Sequence, residues 1–238
     1  MNTISTFRLQ CSECPIRHRA VCSRCNDDEL ALLDAIKVYR TFRPGETILW
    51  RGDDLFFVAS VVSGVATLGK TMEDGRTQMV GLLLPSDFIG HPRRKKIEFD
   101  VVAVSEVVLC CFERRPFEEL VRSTPNITER LMEIALDELD AAREWMVLLG
   151  RKTAKEKIAT FLAMLTVRQV RDDAVDAESL VELPLTREET ANFLGLTLET
   201  VSRQITKLRA DGVLRFHDRA HFEVLDANAL RIASGDDL

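Results

Sequence analysis

Four of the six cysteines in this chain crowd into one stretch, "CSECPIRHRAVCSRC", which runs from Cys11 to Cys25. The other two, Cys110 and Cys111, are neighbours. Thiols at this density close disulfides, bind a metal, or carry a redox group. Cys11-x2-Cys14 followed by Cys22-x2-Cys25 is a spacing that a four-coordinate zinc ion accepts. The compartment, and the elements that position the thiols, decide among these chemistries.

The N-terminal "MNTISTFRLQ" has no apolar core or small-residue cleavage site, so no signal peptide is expected. No apolar run approaches the roughly 18 residues of a membrane helix, and "MVGLLLPSDFIG" is broken by Pro85, Ser86 and Asp87. A cytoplasmic location follows as the expectation, with no membrane partner. Thiols there are kept reduced, so the cluster reads as metal-binding or redox-active before it reads as a disulfide set. The 238 residues suffice for one large domain or two ordinary ones, and 46% hydrophobic with 29% charged residues is a globular composition. The net charge of −6 argues weakly against a nucleic-acid partner. Charge acts locally, however: acids gather in "DDAVDAES" and "GDDL", bases in "PRRKK" and "GRKTAKEK". His18, His91, His217 and His221 are scattered, and no triad, phosphate loop or carboxylate pair stands out. No enzyme activity is expected.

Tyr39 to Phe112 reads as short strands punctuated by Pro44-Gly45, Gly52-Asp53, Ser63-Gly64 and Asp74-Gly75, the pattern of a β-roll or barrel. "DVVAVSEVVLCCF" is a strand pair turning near Ser105-Glu106. Alternation puts Val108, Cys110 and Phe112 on one face and Leu109 and Cys111 on the other. From Pro125 to Leu149 the spacing becomes helical. Met132, Ala135, Leu139, Ala142, Met146 and Leu149 form an a/d stripe, read as a dimer seam. Leu131, Ile134 and Leu148 form a second apolar set that can pack on the β-roll. "KTAKEKIATFLAMLTVRQ" is a further helix and "RDDAVDAESLVE" a polar loop.

"LPLTREETANFLGLTLETVSRQITKLRADGVLRF" has the pattern of a helix-turn-helix. Thr186-x-x-Glu189 is a capping box, Gly195 permits the turn, Thr197 caps the next helix and Gly212 ends it. Val201, Ile205 and Leu208 form the buried stripe, and "VLRFHDRAHFEVL" follows as a wing. Glu199, Ser202 and Arg203 share the opposite face, with Thr206 one turn on. Arg donates twice to guanine, Glu accepts from cytosine and Ser reaches base or phosphate, so this face suits a major groove. Thr197 sits at the same helix end, and Lys207 is placed for phosphate.

"LGLTLETVSRQITKLRADGVL", with "PGETIL", "SGVATL" and "TMEDGRTQMVGLLLPSDFIG", resembles the CRP/FNR family of bacterial transcription regulators over essentially the whole chain. The N-terminal cysteines resemble its FNR branch, of the FnrL/FnrN type. The resemblance implies an α+β fold: a cysteine-rich segment (1–28), a β-roll like a cyclic-nucleotide-binding jelly roll (29–124), a long dimerisation helix (125–150) and a C-terminal winged helix-turn-helix (151–238). It implies an oxygen-labile [4Fe-4S] cluster on a Cys-x2-Cys-x7-Cys set, here Cys11, Cys14 and Cys22, with a distant fourth ligand. The family's fourth cysteine lies two residues before an apolar position, which selects Cys110, before Phe112, over Cys111. Cys25 is surplus to this set; a structural zinc site or thiol switch at the N-terminal cysteines is the alternative. Arg17, His18, Arg19 and Arg24 crowd the loop, as an anionic cluster would favour. The resemblance further implies a homodimer, RNA polymerase as a partner, and a DNA palindrome near TTGAT-N4-ATCAA, with Arg203 on the guanine, Glu199 on its cytosine and Ser202 beside a thymine. A cyclic nucleotide is not expected, because "DFIGHPRRKKIEFD" lacks the Gly-Glu and Arg-Ser/Thr of a phosphate cassette. The seam has Ala142, not an acid, at its centre, with Glu138 and Asp140 beside it.

Overall fold

The computed structural model describes residues 10–74, 77–169 and 180–235. The N-terminal stretch up to residue 9, the acidic tail after Gly235 and most of the polar-loop reading after Gln169 fall outside them. The last two residues of that loop reading, Val181 and Glu182, are a short strand instead. The cause is long-range pairing with a later strand, invisible to local composition.

A single 3₁₀ turn, Cys11–Glu13, opens the described chain. Helix α1 (Asp27–Ile36) follows, its N-terminus closed by a reciprocal capping box between Asn26 and Glu29. Eight antiparallel strands come next: β1 (Lys37–Phe42), β2 (Thr47–Leu49), β3 (Phe57–Ser63), β4 (Ala66–Thr71), β5 (Thr77–Leu83), β6 (Phe88–Ile89), β7 (Asp100–Ala103) and β8 (Val107–Glu113). They form two four-stranded sheets, ordered β1-β8-β3-β6 and β2-β7-β4-β5. Gly64 makes the β3–β4 turn possible. Its φ is 81°, and a Cβ there would stand 2.0 Å from the Glu106 carbonyl oxygen. Phe42, Val58, Val61, Val107, Leu109 and Phe117 are among the core side chains of the roll.

Helix α2 (Arg114–Ser123) leads into α3 (Pro125–Arg151), 27 residues long. Pro125 starts α3 where a missing N–H costs nothing. The chain divides into two compact units, Met1–Leu139 and Asp140–Leu238, and the division falls inside α3. In the first unit Leu131 and Ile134 pack against the β-roll core. Leu148, grouped with them in the sequence, is buried but belongs to the second unit. Met132 (61% exposed), Leu139 (46%) and Met146 (66%) are open, as are Ala135, Ala142 and Leu149; Leu136 and Val147 widen the exposed stripe.

The second unit holds α4 (Ala154–Gln169), β9 (Val181–Glu182), α5 (Arg187–Leu194), α6 (Leu198–Ala210), β10 (Leu214–Phe216), β11 (His221–Val224) and α7 (Ala227–Ser234). Its sheet runs β10-β11-β9, so the wing has a third strand. Trp145 of α3 stacks on Phe193 of α5 at 4.3 Å between centroids, and Phe161 of α4 meets Phe193 edge-on. The buried ammonium of Lys157 donates to the Leu194 carbonyl, satisfying an orphan acceptor at the end of α5.

Candidate metal centre and nucleic-acid interface

The register of three strands builds one wall of a small cavity. Cys110 on β8 stands opposite Tyr39 on β1 and Ser60 on β3. Facing residues share a side of the sheet, and all three line the cavity. The N-terminal loop closes it with Cys11, Cys14 and Cys22, whose thiols pack on the same core as Ile16, Ala20 and Val21. Two chain regions almost a hundred residues apart thus bring four thiols to one apolar space. Cys25 and Cys111 are absent from its lining. Cys111 lies on the opposite face of β8, its sulfur directed at the Leu109 carbonyl at 4.0 Å. Among the described residues, the buried Ser60 hydroxyl finds no hydrogen-bond partner.

Burial raises Cys11, Cys22 and Cys110 first, and neighbouring thiols raise Cys22 and Cys110 further. Cys11 is pushed up to about 11, chiefly by burial. Cys110 lies well above its ordinary value, through burial and then repulsion from Cys11, Cys111, Cys14 and Cys22. Cys25 and Cys111 each reach about 12, again mainly by burial. The charge that acts on Cys111 is that of Arg40, not of the N-terminal thiols. Cys11 and Cys110 are therefore held as thiols at neutral pH, and any metal that binds them displaces protons.

Of the loop's basic residues, Arg17 alone acts on the sulfurs, its charge opposing the rise of Cys22 and Cys25, and it does so without a hydrogen bond to either sulfur. Arg17 donates to the backbone carbonyls of Cys22 (2.5 Å) and Cys25 (2.7 Å), bracing the loop. Arg24 is spent on Glu133 of α3, with Nε 3.0 Å from Oε2. Arg130 donates to the same carboxylate at 3.1 Å and to the Arg19 carbonyl at 2.6 Å. His18 and Arg19 are exposed. The cation that does reach a thiol is Lys37, which sequence reasoning passed over. Its ammonium lies 3.3 Å from the Cys11 sulfur and pairs with Asp34. Asp34 also accepts the Cys11 backbone N–H at 3.2 Å. In sequence, Lys37 reads only as a lysine starting a strand. The one available signal is that it alternates with Tyr39 onto the face of Cys110.

Among the described residues, no three Cys, His, Asp or Glu side chains converge on a point that would hold a single metal ion. The four thiols surround a space instead.

The second candidate surface is α6. Thr186 and Glu189 form the capping box of α5, and Gly195 takes the left-handed conformation (φ 64°) that ends it. Thr197 caps α6, its hydroxyl accepting from the Thr200 N–H. Val201, Ile205 and Leu208 are buried, whereas Glu199, Ser202, Arg203, Thr206 and Lys207 are exposed on the outer side. The Glu199 carboxylate is held below the usual range by its own backbone N–H and by Thr197. Thr206 donates to the Ser202 carbonyl, so its hydroxyl is occupied. On the wing, the buried Glu223 accepts from Arg215 at 2.9 Å and contacts His217 at 2.6 Å. These two histidines face carboxylates: His217 faces Glu223, and His221 faces Asp218.

Residues 156–232 match the Crp-like helix-turn-helix domain, and residues 39–124 match the cyclic nucleotide-binding domain. The chain is 53% identical to the transcriptional activator protein FnrL of Cereibacter sphaeroides, over 100% of this chain and 96% of that one. It is 38% identical to a probable transcriptional activator of Rhizobium leguminosarum bv. viciae, covering 93% and 92%. The solved structure of FixK2 from Bradyrhizobium japonicum superposes with a TM-score of 0.75 at 28% identity, covering 85% of this chain and all of that one.

Proposed function

The chain belongs to the CRP/FNR family of bacterial transcription regulators, and we propose that it is an oxygen-responsive activator whose switch is an iron–sulfur centre. It is a DNA-binding regulator and not an enzyme. Among the described residues no helix is long and apolar enough to cross a membrane, and we take its place of action to be the cytoplasm.

The observation that carries the reading is the shared cavity of Cys11, Cys14, Cys22 and Cys110. These four would hold a [4Fe-4S] cluster, which supplies a group stable without oxygen and destroyed by it. Cys25 and Cys111 are left as buried thiols off the cavity lining. A zinc site on the four N-terminal cysteines is the rival reading: Cys25 is off the cavity lining, although Cys22 and Cys11 are near enough to act on its charge.

The chain's own residues then carry the signal. Arg24 and Arg130 tie the cysteine loop to Glu133, one residue past Met132 of the exposed stripe. When the loop is anchored to β8 through Cys110, that ion-pair network is held in register with α3. The stripe from Met132 to Leu149 meets a second copy, and the dimer presents two α6 helices to a palindrome near TTGAT-N4-ATCAA. Arg203, Glu199 and Ser202 read base edges there, with Thr197 and Lys207 at the backbone. RNA polymerase is the partner an activator at such a site recruits. Residues 87–100 lack a phosphate cassette, so no cyclic nucleotide enters the scheme.

Protein purified without oxygen should be brown, contain iron and sulfide in equal amounts, bleach in air, and lose its preference for the palindrome as it bleaches. Colourless protein carrying stoichiometric zinc would overturn the reading.

A further inference from the structure

We infer that Lys37 is the positioning and charge-compensating residue of the cysteine centre, holding Cys11 in place and setting how long the centre survives oxygen. The inference rests on the ligand reading above and goes beyond it to a residue that is not a ligand.

The geometry is specific. The Lys37 side chain is only 8% exposed, yet it carries a full charge. A buried ammonium persists only with partners, and these include the Asp34 carboxylate, the Cys11 sulfur and the Tyr39 ring, whose centroid is 5.5 Å away. Asp34 in turn accepts the Cys11 backbone N–H, so one ion pair grips the residue at both its sulfur and its main chain. Lys37 also faces Phe112 across β1–β8, two positions along from Tyr39 opposite Cys110, so it stands on the cavity's side of the sheet. Lys37 is not itself on the cavity lining, which is apolar apart from the four thiols and the hydroxyls of Tyr39 and Ser60. Four thiolates on a cluster carry a net negative charge into that wall. Arg17 acts on Cys22 by its charge, but its hydrogen bonds go to backbone carbonyls, so Lys37 is the cation that hydrogen-bonds a cavity thiol.

A charge-assisted hydrogen bond to a thiolate draws electron density off the sulfur. It stabilises the anionic centre and makes it harder to oxidise. A lysine that merely tied α1 to β1 would affect folding alone, so the two roles separate experimentally.

The test uses full-length wild type, Lys37→Met and Lys37→Arg, purified without oxygen. Iron and sulfide content are measured first. The loss of visible absorbance is then followed after mixing with air-saturated buffer, with far-ultraviolet circular dichroism as the check on folding. Lys37→Met should lose its colour about tenfold faster, the scale typical of removing a partner of a metal ligand, and Lys37→Arg should stay close to wild type. A folded Lys37→Met that holds no iron even without oxygen, with Lys37→Arg restored, supports the same role. Decay of Lys37→Met at the wild-type rate, or of Lys37→Arg as fast as Lys37→Met, overturns it. Should Lys37→Met fail to fold, Lys37→Gln carries the test with the same expectations. A colourless wild type sinks the centre and this inference together; a coloured wild type with an indifferent Lys37→Met sinks the inference alone.

Discussion

Cys110 and Ser60 face each other across the β3–β8 ladder, and both open onto the cavity that Cys11, Cys14 and Cys22 close. The adjacent Cys111 faces Ala59 and turns its sulfur to the Leu109 carbonyl. One residue of register therefore separates a candidate ligand from a core thiol. Cys110→Ser, like Cys11→Ser, Cys14→Ser and Cys22→Ser, should abolish retention of iron and sulfide measured without oxygen. Cys111→Ser and Cys25→Ser should keep the centre and lose only stability, as buried thiols replaced by a hydroxyl do. Full iron and sulfide in Cys110→Ser would remove it from the ligand set.

Glu133 is the node where the cysteine loop meets α3. It accepts from both Arg24 and Arg130, and Arg130 continues to the Arg19 carbonyl. Glu133→Gln should leave iron content and the colour of the anaerobic protein unchanged. Its dimer should weaken a few-fold, and the difference in dimerisation between loaded and bleached protein should shrink. Sedimentation of both states, at matched concentrations, gives the comparison. An unchanged difference would mean the signal reaches α3 by another route.

Leu139 lies in the middle of the exposed stripe, so a charge there costs the single chain little. In a paired seam, two carboxylates would face each other across an apolar interface. Leu139→Glu should fold normally, keep its cluster and sediment as a monomer. An intact dimer would move the interface elsewhere on the chain.

Arg203 stands exposed on the outer face of α6, clear of the buried Val201, Ile205 and Leu208. Each good base contact is worth roughly 1–3 kcal/mol of discrimination, and a dimer makes it twice. Arg203→Ala should lose about twice that on a full palindrome if the halves act independently. Its residual binding should show little preference for the guanine. Lys207→Ala should weaken all sequences alike and flatten the salt dependence. The comparison is a titration without oxygen against the palindrome and a guanine-substituted version. Retained guanine preference in Arg203→Ala would reassign the reading face.

What was legible in the sequence was what neighbouring residues decide among themselves. The Thr186–Glu189 box, the Gly195 turn and the Thr197 cap each involve a few consecutive residues, and all appear in the structure as read. The long helix and its exposed stripe follow from a 3.6-residue period. The two strands on either side of Ser105-Glu106 follow from turn residues and alternation, but their reading as a pair does not hold: β7 pairs with β2 and β4, β8 with β1 and β3, in separate sheets. Alternation also split Cys110 from Cys111, but only into two faces. Which face meets the N-terminal loop is decided by the register of β8 between β1 and β3, and by the packing of Ile16, Ala20 and Val21. The same holds for Lys37 on Cys11, Arg24 on Glu133, Trp145 on Phe193 and the third wing strand, Val181–Glu182. Each pairs residues far apart in the chain, or places one residue of a helix in a particular core. Such pairings are selected by burial and by the need to satisfy every buried polar group, which only the assembled fold imposes.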